Sequence, residues 1–86
     1  MSGMDRKRWF FFIWDEENIE HVLDHGVFPQ EAEEVFFNRY IITPNKKRHG
    51  KDRYRIDGQT NAGRRLRLIF QDLGNSVARI ITGWDL

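Results

Sequence analysis

The chain has 86 residues, of which 40% are hydrophobic and 31% charged, with no cysteine and a formal net charge of +1. That length makes a single domain, 1–86, with one small core, and the composition excludes the disordered class. Disulfides and thiolate metal sites are excluded too, so the core must lean on seven Phe, three Trp and two Tyr, each able to bury a large area.

Residues 1–8 are expected to be a flexible lead-in carrying Arg6, Lys7 and Arg8. The apolar run Trp9–Trp14 is six residues long, far too short to span a bilayer, and no signal-peptide core precedes it. A cytoplasmic protein without membrane contact is the expectation. The run itself reads as a strand buried on both faces.

Asp15 then stands where a helix N-cap belongs, with Glu16 and Glu17 in the first turn against the positive end of the helix dipole. Ile19, Val22 and Leu23 form the expected core stripe of this helix, which stops at Gly26 in a left-handed C-cap. Pro29 opens a second helix at its first position, although Phe28 before it offers no capping oxygen. Ala32, Val35 and Phe36 give that helix its buried face, and Asn38 ends it.

Tyr40–Thr43 is a short strand closed by Pro44, and Asn45–Asp52 a basic loop. Three alternating runs follow: Tyr54/Ile56, then Leu66/Leu68/Phe70, then either Val77/Ile81 or Ala78/Ile80. The short turns between them, at Asn61-Ala62-Gly63 and Gly74-Asn75, imply antiparallel hairpins. The predicted fold is α+β, in the order β-α-α-β-β-β-β, with two N-terminal helices packed on a mainly antiparallel sheet.

The near-neutral total hides a segregated charge. Asp15–Glu34 holds eight acidic residues and no Lys or Arg, whereas Arg39–Arg67 holds ten Lys/Arg against Asp52 and Asp57. A one-sided basic surface steers anionic ligands, and RNA is the expected one. Lys46, Lys47, Arg48 and Lys51 lie in the loop, where they can track a phosphate backbone. Arg53, Arg55, Arg65 and Arg67 lie on or beside strands, where the sheet fixes their direction and guanidinium forks match phosphate oxygens. Tyr54 and Trp84 could stack an unpaired base.

His21 and His25 are four residues apart and project from one side of the first helix, well away from its apolar stripe. Three readings stay open for the pair: hydrogen-bonding or substrate-facing groups, plain solvated surface, or part of a metal site. No H-E-x-x-H arrangement is present.

The string Trp14-Asp15-x-x-Asn18-x-x-His21-x-x-x-His25-Gly26-Val27-x-Pro29-x-Glu31, followed by Glu34-Val35, resembles the N-terminal half of BrnT-type toxins of bacterial type II toxin–antitoxin systems. Tyr54, Gly58-x-Thr60-x-x-Gly63-Arg64-x-Leu66 and Arg79-Ile80-Ile81-Thr82 are similar to its second half. The resemblance implies a RelE-like ribonuclease fold that cleaves RNA through the substrate's own 2′-hydroxyl, without metal or cofactor, and is neutralised by a cognate antitoxin. It further implies phosphate and transition-state contacts from Arg64 and Arg79, acid–base or bracing roles for His21 and His25, and positioning by Tyr54.

Two departures stand out. Gly83-Trp84-Asp85-Leu86 replaces the Ala-Arg-Asp-Met of relatives, and the C-terminal helix expected of them is absent from this sequence. The alternative is therefore a non-catalytic nucleic-acid- or protein-binding module on the same scaffold. Apolar sheet surface bared in this way would suit an antitoxin contact or a homodimer.

Overall fold

A computed structural model of the chain describes residues 7–45 and 52–86. The elements run β1 (Phe11–Ile13), α1 (Glu16–Asp24), α2 (Pro29–Val35), β2 (Tyr40–Pro44), β3 (Arg53–Gln59), β4 (Arg65–Gly74) and β5 (Val77–Asp85). The strands form one sheet in the order β1-β5-β4-β3-β2. β1 pairs parallel with β5, and the other three pairings are antiparallel. The α+β class and the element order are those expected from the sequence.

Alternation decides which side of the sheet is packed. Ile56, Leu66, Leu68, Phe70, Ala78 and Ile80 face the helices and are fully buried with Val22, Val27, Ala32, Val35 and Phe36. On β5 the buried pair is Ala78/Ile80 rather than Val77/Ile81. A register shift lets Phe70 oppose Ile80 and Ile69 oppose Thr82, so Ile81 has no partner and the inward set resumes at Gly83.

Gly58 sits where the sheet meets α2. A Cβ there would lie 3.0 Å from Val35 Cγ1 and 3.1 Å from the Arg39 carbonyl oxygen, so a larger residue would push the helix layer off the sheet.

The helix signals act as read. Asp15 caps α1, Gly26 takes φ +75° after it, and Pro29 opens α2. Phe28 supplies no capping oxygen. Instead its backbone N–H donates to Glu31 Oε1 at 3.1 Å, which is half of a capping box.

Two expectations fail. The aromatic run is not buried on both faces: Phe10, Phe11 and Ile13 are 53%, 63% and 43% exposed, while Trp9 is buried. The strand it forms is a three-residue edge, with β5 on one side only and helices over one face only. Leu23 is likewise exposed. The nine-residue α1 packs on β5 through Asn18 and Val22, and Val27, folding back to donate its N–H to the Val22 carbonyl, is fully buried beside them in the core.

Lys7, expected in the flexible lead-in, ties to the fold through Asp72 Oδ2 at 3.1 Å, and Asp72 Oδ1 accepts from the Trp9 indole at 3.1 Å. No helix among the described residues is long and apolar enough to cross a membrane.

Candidate functional site: a polar rim beside an open arginine face

The rim is built on Asn18. Asp15 Oδ1 accepts from the Asn18 backbone N–H at 3.1 Å, and the Asp15 N–H donates to Asn18 Oδ1 at 2.7 Å, closing a capping box. The buried Asn18 amide then donates twice, to the Ile13 carbonyl at 2.8 Å and the Ile80 carbonyl at 2.7 Å. β1 ends at Ile13, so the rest of β5 has lost its neighbouring strand. Side chains of α1 take over: Asn18 serves Ile80, and one turn on, His21 Nδ1 lies 3.3 Å from the Ile81 carbonyl, a contact that requires the proton on Nδ1.

That placement fixes the histidine pair. His21 and His25 are exposed and line a shallow groove of about 350 Å³ with Asp24, Ile81 and Thr82. The His25 ring lies 6.0 Å from that of Trp84. Among the described residues no group of three or more His, Asp or Glu is placed to hold a metal.

Arg64 closes the end of the rim. Its Nε and Nη2 make a fork to Asp85 at 2.7 and 3.1 Å, and Nη1 reaches Glu31 at 2.8 Å. The hydrogen bonds to Asp85, and then to Glu31, hold the guanidinium more firmly protonated than usual; Arg64 in turn holds the Asp85 carboxyl below its ordinary range. The side chain lies over the C-terminus of α1, where a Cβ on Gly26 would be 3.9 Å from Nη2. Arg79 sits at the opposite end of α1, 2.7 Å from Asp15 and 3.6 Å from Glu17. Its hydrogen bond, followed by that of the Asn18 backbone, lowers the Asp15 carboxyl.

The sheet face away from the helices carries the strand arginines. Cα register places Arg53, Gln71, Arg79 and Ile13 in one row across the strands. A second row holds Thr43, Arg55, Ile69 and Thr82, and a third Ile41, Asp57, Arg67 and Trp84; Arg65 extends the face beside Gln59. Arg67 makes a fork to Asp57 at 2.8 and 3.0 Å, which lowers the Asp57 carboxyl. Arg55 lies 4.0 Å from the same carboxylate, and its buried Nε has no hydrogen-bond partner among the described residues. Arg53 and Arg65 make no ion pair among the described residues.

Trp84 joins the two regions, standing opposite Arg67 in the sheet and beside His25 on the rim. Tyr54 lies apart from both. It packs against Phe70 and Trp9 and lines a groove of about 960 Å³ with Lys7, Arg8, Arg39 and Tyr40, sharing no lining residue with the histidine groove. Lys46, Lys47, Arg48 and Lys51 lie outside the described residues.

Sequence reasoning missed the carboxylate partners. Asp57 was legible as an acid on the outward parity of an arginine strand, but Glu31 and Asp85 stand 33 and 21 residues from Arg64 and carry no local signal. Asn18 was legible three residues after Asp15 as a capping partner, though not as the bridge to β5.

No family model and no curated protein matches the chain. Among solved structures, the chain is similar to the ribonuclease toxin BrnT of Brucella abortus, with a TM-score of 0.68 and 24% identity. The likeness covers 90% of this chain and 97% of that one, so almost all of that solved chain has a counterpart here. The fold is BrnT-like.

Proposed function

We propose that the protein is the toxin component of a toxin–antitoxin pair, a metal-independent endoribonuclease that works in the cytoplasm. RNA lies along the open arginine face, and its reacting phosphate reaches the His21–His25 rim. The observation that carries this reading is Trp84, which brings an imidazole against the row of the face that holds Arg67. Proton-transfer groups thereby adjoin phosphate-binding groups on one continuous surface. The likeness to a ribonuclease toxin supports the same reading.

Cleavage in this scheme uses the 2′-hydroxyl of the RNA as nucleophile. One imidazole accepts its proton, the other protonates the departing 5′-oxygen, and guanidinium groups hold the charge that builds on the phosphorus oxygens. Imidazole suits both roles because it trades protons near neutrality. Arg64 and Arg79, now on carboxylates, exchange those partners for phosphate oxygens as RNA enters. Tyr54, on the other side of the sheet, meets only a strand that wraps the edge. The partner in this reading is an antitoxin that covers the basic face.

The test is RNA cleavage in vitro with and without EDTA. Wild type is expected to cut in both, and His21→Ala, His25→Ala and Arg79→Ala to cut at least about 100-fold more slowly, the usual scale of a lost acid–base or charge-stabilising group. Intact RNA with wild type would sink the catalytic reading.

One observation favours the second reading, a binding module without turnover: Arg64, Arg67 and Arg79 are each already neutralised by a carboxylate. It predicts salt-sensitive RNA binding and no cleavage.

A further inference from the structure

A sheet exposes two edges, and each is a template for pairing with another chain unless something blunts it. The stretch of β5 beyond β1 is covered by α1 through Asn18 and His21. The β2 edge ends at Pro44, which has no N–H to offer. β1 has only β5 beside it, and no strand among the described residues covers its outer edge.

That edge is apolar on both sides. Phe11 and Ile13 project from the open face, while Phe10 lies 6.1 Å from Phe37 on the helix side, and all four are exposed. With about half of each side chain uncovered and about 200 Å² per large aromatic, the patch is on the order of 400 Å², a size at which an apolar patch is commonly functional.

The sequence around the edge is complementary to itself. Lys7 and Arg8 precede the strand and Glu16 and Glu17 follow it, so reversing one copy against another sets basic residues beside acidic ones. A two-fold axis at Phe12, the centre of β1, sets Phe11 opposite Ile13 of the second copy, Phe10 opposite Trp14 and Arg8 next to Glu16. Arg8 and Glu16 make no ion pair within the chain among the described residues, so both are available.

We infer that two copies of this chain associate through antiparallel pairing of β1 with β1 about that axis, joining two five-stranded sheets into one of ten. Such an interface is isologous and closed, which covers the β1 edge of both copies at once and leaves only the β2 edges at the ends. Opposed residues in a ladder share a side, so the two open faces fall on the same side of the joined sheet. The arginine surface doubles in length without any change within a protomer.

Sedimentation of the full chain over a concentration series tests the inference. Wild type is expected to be a dimer. Phe11→Lys should be a monomer with an unchanged circular dichroism spectrum, since Phe11 is exposed in the protomer. Phe28→Lys, equally exposed but at the cap before α2, should remain a dimer. Arg8→Glu and Glu16→Lys should each weaken dimerisation about tenfold, which corresponds to about 1.4 kcal/mol, and the double variant Arg8→Glu/Glu16→Lys should regain it. A monomeric wild type at hundreds of micromolar overturns the inference. So does a dimer that Phe11→Lys leaves intact, or a double variant no better than the singles.

Discussion

The rim and the open face use the same chemical groups to different ends. On the rim the polar side chains that frame the groove are partnered: Asn18 bridges two carbonyls, His21 meets a third, and Arg64 and Arg79 join acids from distant parts of the chain. Among the described residues of the face, Arg53 and Arg65 stand without an ion pair, and the buried Nε of Arg55 has no hydrogen-bond partner. An arginine held by two carboxylates has given up most of its capacity to attract phosphate, whereas an unpaired one on a rigid strand keeps it. The rim is organised for geometry and the face for charge.

Breaking the rim should have the largest effect. Asn18→Ala strips donors from the Ile13 and Ile80 carbonyls in a buried setting and removes half of the capping box. A loss of about 2–3 kcal/mol is expected, since unsatisfied buried groups cost about 1–3 kcal/mol each, with partial relaxation. Thermal unfolding should show a drop of at least about 10 °C. Asn18→Asp, which keeps the cap but cannot donate to the carbonyls, should fall nearly as far. Full retention of stability in that variant would mean the bridge to β5 is dispensable. Arg64→Ala comes next. It frees Glu31 and Asp85 and loosens the junction of α2 with the end of β5, with an expected fall of about 5 °C. Arg64→Lys should not restore wild type, because an ammonium lacks the fork that Asp85 accepts.

How much of this was legible depended on the range of the interaction. The helices were legible because Asp15, Gly26 and Pro29 act within one turn of their positions, and the outward aim of His21 and His25 followed from helical angle alone. The face of β5 was not, since alternation fits both Val77/Ile81 and Ala78/Ile80, and the register shift that chooses between them arises from pairing with β4. The exposure of Phe10 and Phe11 was hidden for a similar reason: nothing local says that an apolar strand will be the edge. The arginines were legible as a surface but not as individuals. Their partners are set by topology, so Arg64 and Arg79, singled out by resemblance, turned out to be ion-paired, while Arg53 and Arg65 have no ion pair among the described residues.

The face should respond in binding rather than stability. Arg53→Ala and Arg65→Ala are each expected to leave unfolding within about 0.5 kcal/mol of wild type, as surface changes without a partner do. Each should weaken RNA binding several-fold and reduce the salt slope by about one. Arg64→Ala should show the opposite profile, with a larger change in stability than in salt slope. If Arg53→Ala leaves affinity and slope untouched, the open face is not where RNA lies.

The smallest effect is the most discriminating, because Asp57 belongs to both descriptions: it sits on the open face and neutralises Arg67. Arg67 holds its carboxyl below the ordinary range, mainly by the hydrogen-bonded fork. A carboxyl whose folded value is depressed adds stability that is present above its unfolded value of about 3.9 and is lost as pH falls through the folded value. Asp57→Asn should therefore be slightly less stable than wild type at pH 7, by under about 1 kcal/mol for a pair this exposed. The gap should begin to close below about pH 4, where the unfolded carboxyl takes up its proton, and be gone once pH has fallen through the lowered folded value. At neutral pH the same substitution releases Arg67 and removes the carboxylate that lies 4.0 Å from Arg55, so RNA affinity should rise while stability falls. Opposite signs in the two measurements would confirm that pairing and phosphate binding compete for the same guanidinium groups; a fall in both would mean that Asp57 instead sets the arginines in the pose that RNA requires.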